Sequence, residues 1–453
     1  MTPPQRPDGG NAAYTQGPIA RTMLRTGFAM LAGTLAMSGY NLADAWFIGR
    51  LPGAIPLAAM GYTLPVVMLL GCVLRGFASG LMTVAAHAIG AGKLAKTRQL
   101  VCSGLLLVVL VSLLLMLLGI FAADRVLGLF GASGEALSLA RAYMRIWFFG
   151  ILTASLSMTG NDMLVTVGDA RMASAAMILG MAVNIPLDAL FIFGLGPVPA
   201  MGIRGAALAT VLSQGVGTCF VLFLLHRRHG LLDFRSIVPS RIPAAWRAIV
   251  RYAVPAILGM LLMPVGGAIL TRITAAFGDA AVAATAAVGR LEHFAFVFPM
   301  ALGMSLTPMV SQNFGARRFD RIHDCRRFSM RFALAFLGAM SVLYFLLAPA
   351  LARAFTTDAE VARIMALGLR VVPWGFAAVE IHRYASFFFT GCARPAAAAW
   401  LNALRIAGLL LPFSFLALAF RSLPGLFFAR LAADLAAGTA GWYLAHRFTT
   451  RLR

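Results

Sequence analysis

The chain has few charged residues. Only 12% of its 453 residues are Asp, Glu, Lys or Arg, whereas an average soluble protein has about 25%. Hydrophobic residues make up 60% of the chain, and this balance excludes an ordinary soluble domain. The net charge of +22 is typical of nucleic-acid binders, but those proteins are not built from apolar runs of about 20 residues or more. We therefore expect no nucleic-acid partner.

Lysine and cysteine are also scarce. Lys93 and Lys96 are the only lysines among 38 basic residues, so arginine carries the positive charge. The five cysteines are scattered, without a CxxC pair or the histidine spacing of a metal site. The sequence indicates neither a disulfide framework nor structural zinc, and we expect no cofactor. HExxH, GxSxG and clustered His/Asp motifs are missing too, which argues against a membrane-embedded enzyme.

Long apolar segments fill almost the whole chain. Hydropathy windows of about 19 residues find twelve of them, near residues 24–48, 57–84, 99–122, 137–160, 171–194, 203–225, 248–276, 281–308, 329–352, 362–390, 396–419 and 424–446. Each is long enough to cross a bilayer as a helix. We predict an all-α membrane protein with twelve transmembrane helices. Residues 1–19, rich in proline and glycine, are predicted to be a disordered tail before an uncleaved first helix.

Arginines set the predicted orientation, because basic residues in short loops stay on the cytoplasmic side. Loops on one side hold many, including Arg227, Arg228, Arg317 and Arg318. The opposite loops hold few, namely Arg50, Arg125, Arg353 and Arg421. We therefore place both termini, including a tail at 447–453, in the cytoplasm, and expect a multi-pass protein of a bacterial inner membrane. This topology explains the net charge without an acidic partner.

The two halves of the chain resemble each other at a shift of about 225 residues. Gly90-Ala91-Gly92-Lys93 overlays Gly315-Ala316-Arg317-Arg318, and Glu135 overlays Glu360. An even number of helices precedes the second copy, so the repeat is parallel. We predict two six-helix lobes, at 20–225 and 248–446, joined by a cytoplasmic linker at 226–247. A cleft between two such lobes is the expected substrate cavity of an alternating-access transporter, and we expect a monomer.

Five of the sixteen acidic residues fall inside the predicted spans. They are Asp44, Asp188, Glu292, Glu380 and Asp434. An ionised group at the bilayer centre costs at least about 2.5 to 3.5 kcal/mol, so each needs a partner, a proton or a watery cavity. Asp434 follows Arg430 by four residues, and Glu380 precedes Arg383 by three. Both acids are therefore predicted to pair with an arginine on one helical face.

Asp44 and Asp188 have no basic residue three or four positions away. Tyr40 and Asn41 precede Asp44 by four and three residues, and Asn184 precedes Asp188 by four. Polar groups thus gather on one face of each helix. Two carboxylates and an amide can hold Na⁺ with oxygen ligands or share a proton. The sequence does not choose between Na⁺ and H⁺, and polar packing without a cation is the alternative.

Two further features qualify this hypothesis. Pro186 lacks an N–H and so frees the carbonyl of Ala182, which becomes available to a cation or water. Arg75 is a lone arginine about two-thirds along the second span. It either extends to an interface, pairs with an acid, or faces the cavity, and the first two are favoured.

Five motifs stand in order along the chain. The first is Tyr40-Asn41-Leu42-Ala43-Asp44-Ala45-Trp46-Phe47-Ile48-Gly49 in the first helix. The others are Gly90-Ala91-Gly92-Lys93, Gly168-Asp169, Asn184-Ile185-Pro186-Leu187-Asp188, and Gly205-Ala206-Ala207-Leu208-Ala209-Thr210. These motifs resemble those of MATE (multidrug and toxic compound extrusion) transporters, of the MOP flippase superfamily, and the resemblance covers about residues 20 to 445.

Similarity to the DinF-like branch implies specific site residues. It implies a cation-coupling site of Asp44, Asn184, Asp188 and Thr210, with Tyr40, Tyr143 and Asn161 as polar neighbours. The NorM-like branch instead has a glutamate in helix 7, where this chain has no acid. Glu380 lies within about one residue of that branch's helix-10 acid, and Glu292 resembles a helix-8 glutamate of eukaryotic members. Because of these two residues, a contribution of the second lobe to cation coupling stays an open alternative.

The resemblance implies an antiporter that exports organic, often cationic, compounds in exchange for H⁺ or Na⁺. One rival is a lipid or oligosaccharide flippase of the same superfamily, which typically has about fourteen spans. A membrane-embedded enzyme and a passive channel are rivals from other classes. The tandem lobes and the one-sided acid pair favour coupled exchange.

Overall fold

The structure is a computed structural model that describes residues 12–53, 55–194 and 196–452, apart from the side chains of Asn41, Ala45 and Ser236. Within these ranges twelve long helices follow one another. They are α1 Ile19–Ile48, α2 Ile55–Gly90, α3 Leu94–Leu129, α4 Gly134–Thr166, α5 Ala170–Phe193, α6 Ile203–Arg228, α7 Ile242–Ala275, α8 Asp279–Gly315, α9 Phe319–Phe355, α10 Ala359–Gly391, α11 Pro395–Ala419 and α12 Leu423–Thr449.

These helices match the twelve predicted segments in order and number. Apolar runs of this length form helices because, away from water, a helix satisfies the backbone hydrogen bonds within one segment. The largest difference that concerns function lies in α4, which continues to Thr166 instead of ending near residue 160. Residues 1–11 of the expected tail lie outside the described part. In the remainder of that tail, Tyr14 is buried and its hydroxyl donates to the carbonyl oxygen of Val165 at 2.7 Å.

The chain divides into two compact units. The first unit contains residues 12–16 and Phe28–Ile257. Its centre is α4, which packs against α2, α3 and α6, while α5 packs on α6. A side chain at Gly205 would meet the carbonyl oxygen of Phe191 at 2.4 Å, so glycine allows α6 to approach α5 closely. This packing brings α1, α4, α5 and α6 to the candidate site.

The segment 226–247, which the sequence suggests as a linker, lies in this first unit together with the start of α7. Trp246 donates through Nε1 to the carbonyl oxygen of Ser103 at 2.8 Å, and Gln99 accepts from the backbone N–H of Val238 at 2.7 Å. These bonds attach the segment to α3.

The second unit contains Gly17–Gly27 and residues 258–452. Phe296, Tyr344 and Phe376 form an aromatic cluster in its core. Helix α10 packs closely on α12, where a side chain at Gly438 would meet the carbonyl oxygen of Ala378 at 2.5 Å. Helix α11 contains a π-helical segment at Leu404–Leu410, a feature that is frequent at functional sites.

Candidate functional site

A pair of buried carboxyl groups lies inside the first unit. Asp44 is near the end of α1 and has 5% of its surface exposed, and Asp188 is near the end of α5 and is fully buried. Both helices have odd numbers, so they cross the membrane in the same direction and their ends lie on the same side. The structure thus brings together two acids that are 144 positions apart in the chain.

Asn184 joins the two acids. When its side-chain nitrogen is oriented toward the carboxylates, it donates to Oδ2 of Asp188 at 3.0 Å and to Oδ1 of Asp44 at 3.2 Å. This orientation follows from the hydrogen-bond partners, which decide the assignment of an amide. Asp44 and Asp188 also lie close enough to interact directly. In the described part of the chain, the buried Oδ1 of Asp188 has no hydrogen-bond partner.

Hydroxyl groups from three helices surround the pair. Tyr40 of α1 donates to Oγ1 of Thr210 on α6 at 3.1 Å, and it also interacts with Asp44. Tyr143 of α4 is buried near both carboxyl groups. The predicted residues Tyr40, Asp44, Tyr143, Asn184, Asp188 and Thr210 therefore form one polar cluster, which we call the outer acid site.

Two predicted neighbours are not part of this cluster as described. The side chain of Asn41 lies outside the described residues. Asn161 lies on α4, 18 residues after Tyr143, which corresponds to about 27 Å along a helix that rises 1.5 Å per residue. The resemblance alone placed Asn161 beside the site, whereas the length of α4 separates it from the carboxyl pair.

The outer acid site contains no arginine. Among the described residues, no ion pair involves Asp44 or Asp188. Hydrogen bonds from neutral groups compensate part of the cost of burying a carboxylate but supply no positive charge. This site is therefore suited to a cation or a proton.

The acids of the second unit have a different environment. Glu380 lies 3.1 Å from Arg383, and Asp434 lies 3.7 Å from Arg430, so both predicted pairs are confirmed. Arg405 of the π-helical segment is closer to Asp434, at 2.8 Å. Glu292 accepts from Arg430 at 2.5 and 2.6 Å. Each of the three acids thus has an arginine partner, and we call these three acids and three arginines together the balanced network.

Arg75 has a partner that the sequence did not identify. It lies 3.5 Å from Asp162, which is buried in α4 with 5% exposed. Asp162 was missed because the predicted span ended near residue 160. A usable signal was the row Ser155, Thr159, Asp162 and Thr166, whose spacing of four, three and four residues places polar groups on one helical face.

A charged cluster also caps the cytoplasm-side end of α5 in the predicted topology. Asp169 accepts from the backbone N–H of Met172 at 3.4 Å and lies 3.2 Å from His229 and 3.3 Å from Arg228. Burial raises the pKa of Asp169, but the hydrogen bond from His229, the charge of Arg228 and the Met172 N–H outweigh it and lower the pKa. This cluster holds the end of α6 against the start of α5.

Comparison with known proteins finds similar chains along the whole length. The MatE family model matches residues 29–190 and 255–416, and the second match begins 226 residues after the first. The FAD transporter of Shewanella oneidensis is 31% identical over 430 residues, or 95% of each chain. Multidrug export protein MepA of Staphylococcus aureus is 23% identical, over 97% of this chain and 96% of its own.

Solved structures are similar as well. The Vibrio cholerae MATE transporter VcmN in the bent form has a TM-score of 0.89 and 29% identity, with 95% of this chain and 97% of that chain covered. A MOP superfamily transporter from Pyrococcus furiosus has a TM-score of 0.90 at 24% identity, with 99% of both chains covered, and shows the fold alone. These matches confirm the prediction of twelve transmembrane helices in two six-helix lobes with a parallel repeat.

Proposed function

Because the chain belongs to the MatE family of membrane transporters, we propose that it is a secondary antiporter that exports organic compounds from the cytoplasm in exchange for H⁺ or Na⁺. Members of this family transport drugs or metabolites and are not enzymes.

One observation carries the proposal: the two units differ in charge compensation. The balanced network pairs each of its acids with an arginine, while the outer acid site has two carboxyl groups and no arginine among the described residues. An uncompensated ionised group within a bilayer costs at least about 2.5 to 3.5 kcal/mol. A bound cation or proton removes most of that cost. A coupling ion is therefore expected to bind most favourably at the outer acid site.

Each residue of the outer acid site has a role in this proposal. Asp44 and Asp188 carry the negative charge that attracts the cation. Asn184 holds the two carboxylates together through its donated hydrogen bonds. Thr210 of α6 and Tyr40 of α1 supply hydroxyl oxygens. If the ion is Na⁺, hard oxygen ligands of this kind suit it, and if it is H⁺, the two carboxyl groups share it.

Exchange requires that cation and substrate weaken each other's binding. By linkage the penalty is reciprocal and typically amounts to about 1 to 3 kcal/mol. Cation binding cancels negative charge between α1 and α5, and α5 contains Pro186 and Gly180, which make it easier to bend. We infer that a bend of α5 links occupation of the outer acid site to release of the substrate.

The substrate is proposed to be a small organic molecule. Relatives named for multidrug export and for FAD transport lie at 23% and 31% identity, so a cationic dye and a flavin dinucleotide are the first two compounds to test. The arginine distribution supports cytoplasmic termini in a bacterial inner membrane. The same proposal includes the lobe boundaries, the monomeric state and any role of Glu292 and Glu380 in a substrate cavity.

The test is efflux from proteoliposomes with a pH gradient or a Na⁺ gradient imposed separately. Efflux that rises with one gradient, and that disappears in Asp44→Asn, supports the antiporter. Efflux that depends on neither gradient contradicts it and favours the channel reading. Movement of labelled lipid without any organic solute would favour the flippase.

A further inference from the structure

The first unit also contains a buried carboxyl group, Asp162, that is well separated from the outer acid site. Asp162 is four residues from the end of α4, as Asp44 is four residues from the end of α1. Helices α1 and α4 cross the membrane in opposite directions, so these two ends lie on opposite sides. Asp162 is also 19 residues after Tyr143 on one continuous helix, a separation of about 28 Å.

The face of α4 that carries Asp162 is polar although it is buried. Ser155, Thr159 and Thr166 share this face, and all three are fully buried. The row extends from Asp162 back to Ser155, about 10 Å toward the outer acid site. Ser155 continues it to α3 through a 2.7 Å hydrogen bond with Ser112. The row therefore runs from the end of α4 into the interior of the unit.

Besides the buried polar face of α4, the hydroxyl group of Thr159 also indicates a ligand. Its Oγ1 atom is buried and, within the described ranges, has no hydrogen-bond partner, although a threonine in a helix usually bonds to a backbone carbonyl. A buried polar atom without a partner is costly and points to a group that binds there. Thr159 precedes Asp162 by three residues, so its oxygen lies on the same helical face.

The ion pair of Asp162 is loose. Its distance to Arg75 is 3.5 Å, compared with 2.8 Å for Arg405 and Asp434 in the balanced network. Arg75 keeps 39% of its side chain exposed, so the surrounding protein leaves it room to move away from Asp162. The attraction within a buried ion pair repays the desolvation of its charges only when the geometry is good, so Asp162, held by one long contact, can still gain from a cation.

On these observations we propose that Asp162 is a second, inner station for the coupling cation, which it occupies between the outer acid site and the cytoplasm. Arg75 is a positioning residue that neutralises Asp162 while the station is empty and withdraws when the cation arrives. Thr159 offers its free oxygen to the cation. This inference rests on the proposed antiport and adds the route by which the cation leaves.

The experiment compares charge-neutral variants in proteoliposomes under the pH gradient and the Na⁺ gradient separately. The double variant Arg75→Gln/Asp162→Asn removes both charges, so it leaves no buried charge unpaired. We expect it to bind substrate, and to release it on cation addition in detergent, as the unmodified protein does, because the outer acid site is intact. The gradient-driven efflux of the double variant should be at least tenfold slower. The single variant Asp162→Glu, which keeps both charges, should retain most of the rate.

The matched control is Arg141→Gln/Asp124→Asn, which removes an exposed ion pair of the same unit and should leave efflux unchanged. Efflux at the normal rate in the Arg75/Asp162 double variant would show that the pair is only structural and overturn the inference. Loss of cation-induced substrate release in that variant would also overturn it, since Asp162 would then act within the outer acid site. If the unmodified protein responds to neither gradient, the antiport proposal itself fails, which is a separate outcome.

Discussion

Arg405 lies 2.8 Å from Asp434, closer than Arg430, which shares a helix with that acid. The contact joins the π-helical segment of α11 to α12, and both side chains are nearly buried. Removing one partner from a buried pair typically costs about 3 to 5 kcal/mol, because a charge remains without compensation.

We therefore expect Asp434→Leu to lower the melting temperature in detergent strongly. The double variant Arg405→Leu/Asp434→Leu should recover most of the stability, since apolar replacement of a complete buried pair is often neutral. Thermal unfolding of both variants checks this. Equal losses in the single and the double variant would contradict a pairwise role.

A second prediction concerns the asymmetry between the units. Asp44→Asn should abolish gradient-driven efflux at normal protein levels, because the outer acid site loses one of its two carboxylates. Glu380→Gln should leave part of the transport intact, since Glu380 is paired with Arg383 in the balanced network. Asp124→Asn, at an exposed position, is the control. Equal loss from Asp44→Asn and Glu380→Gln in folded protein would refute the asymmetry.

Competition between cation and substrate gives a third prediction. Substrate affinity in detergent should fall roughly 5- to 150-fold when the pH is lowered or Na⁺ is raised, as the linkage energy requires. Asp188→Asn removes a charge permanently and should fix the protein in the weakly binding state. Fluorescence titrations at several pH values and Na⁺ concentrations measure both effects. Isotherms that do not move with either ion would exclude this mechanism.

The bridging amide can be tested by itself. Asn184→Leu keeps the approximate volume but removes the donor to Asp44 and Asp188. Without the bridge the carboxylates repel each other, and we expect substrate affinity to become insensitive to the cation while the protein stays folded. Thr210→Val, which removes one hydroxyl acceptor, should cost about 0.5 to 1.5 kcal/mol of cation binding, a smaller effect. A normal cation response in Asn184→Leu would contradict the bridging role.

A fifth prediction concerns Asp169 at the start of α5. Its pKa is lowered in the folded protein, so its ionised form stabilises the fold at pH values above the unfolded pKa, near 4. This contribution is lost as the pH falls through the lowered value. Asp169→Asn keeps a capping side chain but removes the charge that faces His229 and Arg228. It should therefore reduce stability by about 0.5 to 1 kcal/mol at neutral pH, and the difference from the unmodified protein should vanish in strong acid. Urea unfolding at neutral and acidic pH provides the measurement.

The sequence predicted local features well. Apolar runs gave the helices, and helical spacing predicted the pairs Arg383 with Glu380 and Arg430 with Asp434. The spacing of residues along one helix carries no information about contacts between helices. It therefore could not predict the pairs Arg405 with Asp434 and Arg75 with Asp162. Asp162 was not identified as a residue within a span, because the hydropathy falls before α4 ends at Thr166. The position of Asn161 shows a further limit, since a motif match gives no distance along the membrane.

The balanced network also has a consequence for how the protein enters the membrane during synthesis. In the described part of the chain, α12 is not among the helices that are long and apolar enough to qualify as spans by composition. It carries Arg430 and Asp434, whose partners Glu292 and Arg405 are on α8 and α11. These earlier helices are made first and hold unpaired charges until α12 emerges from the ribosome. We therefore expect insertion of the second lobe to be completed only by its last helix, which supplies the charged partners of Glu292 and Arg405.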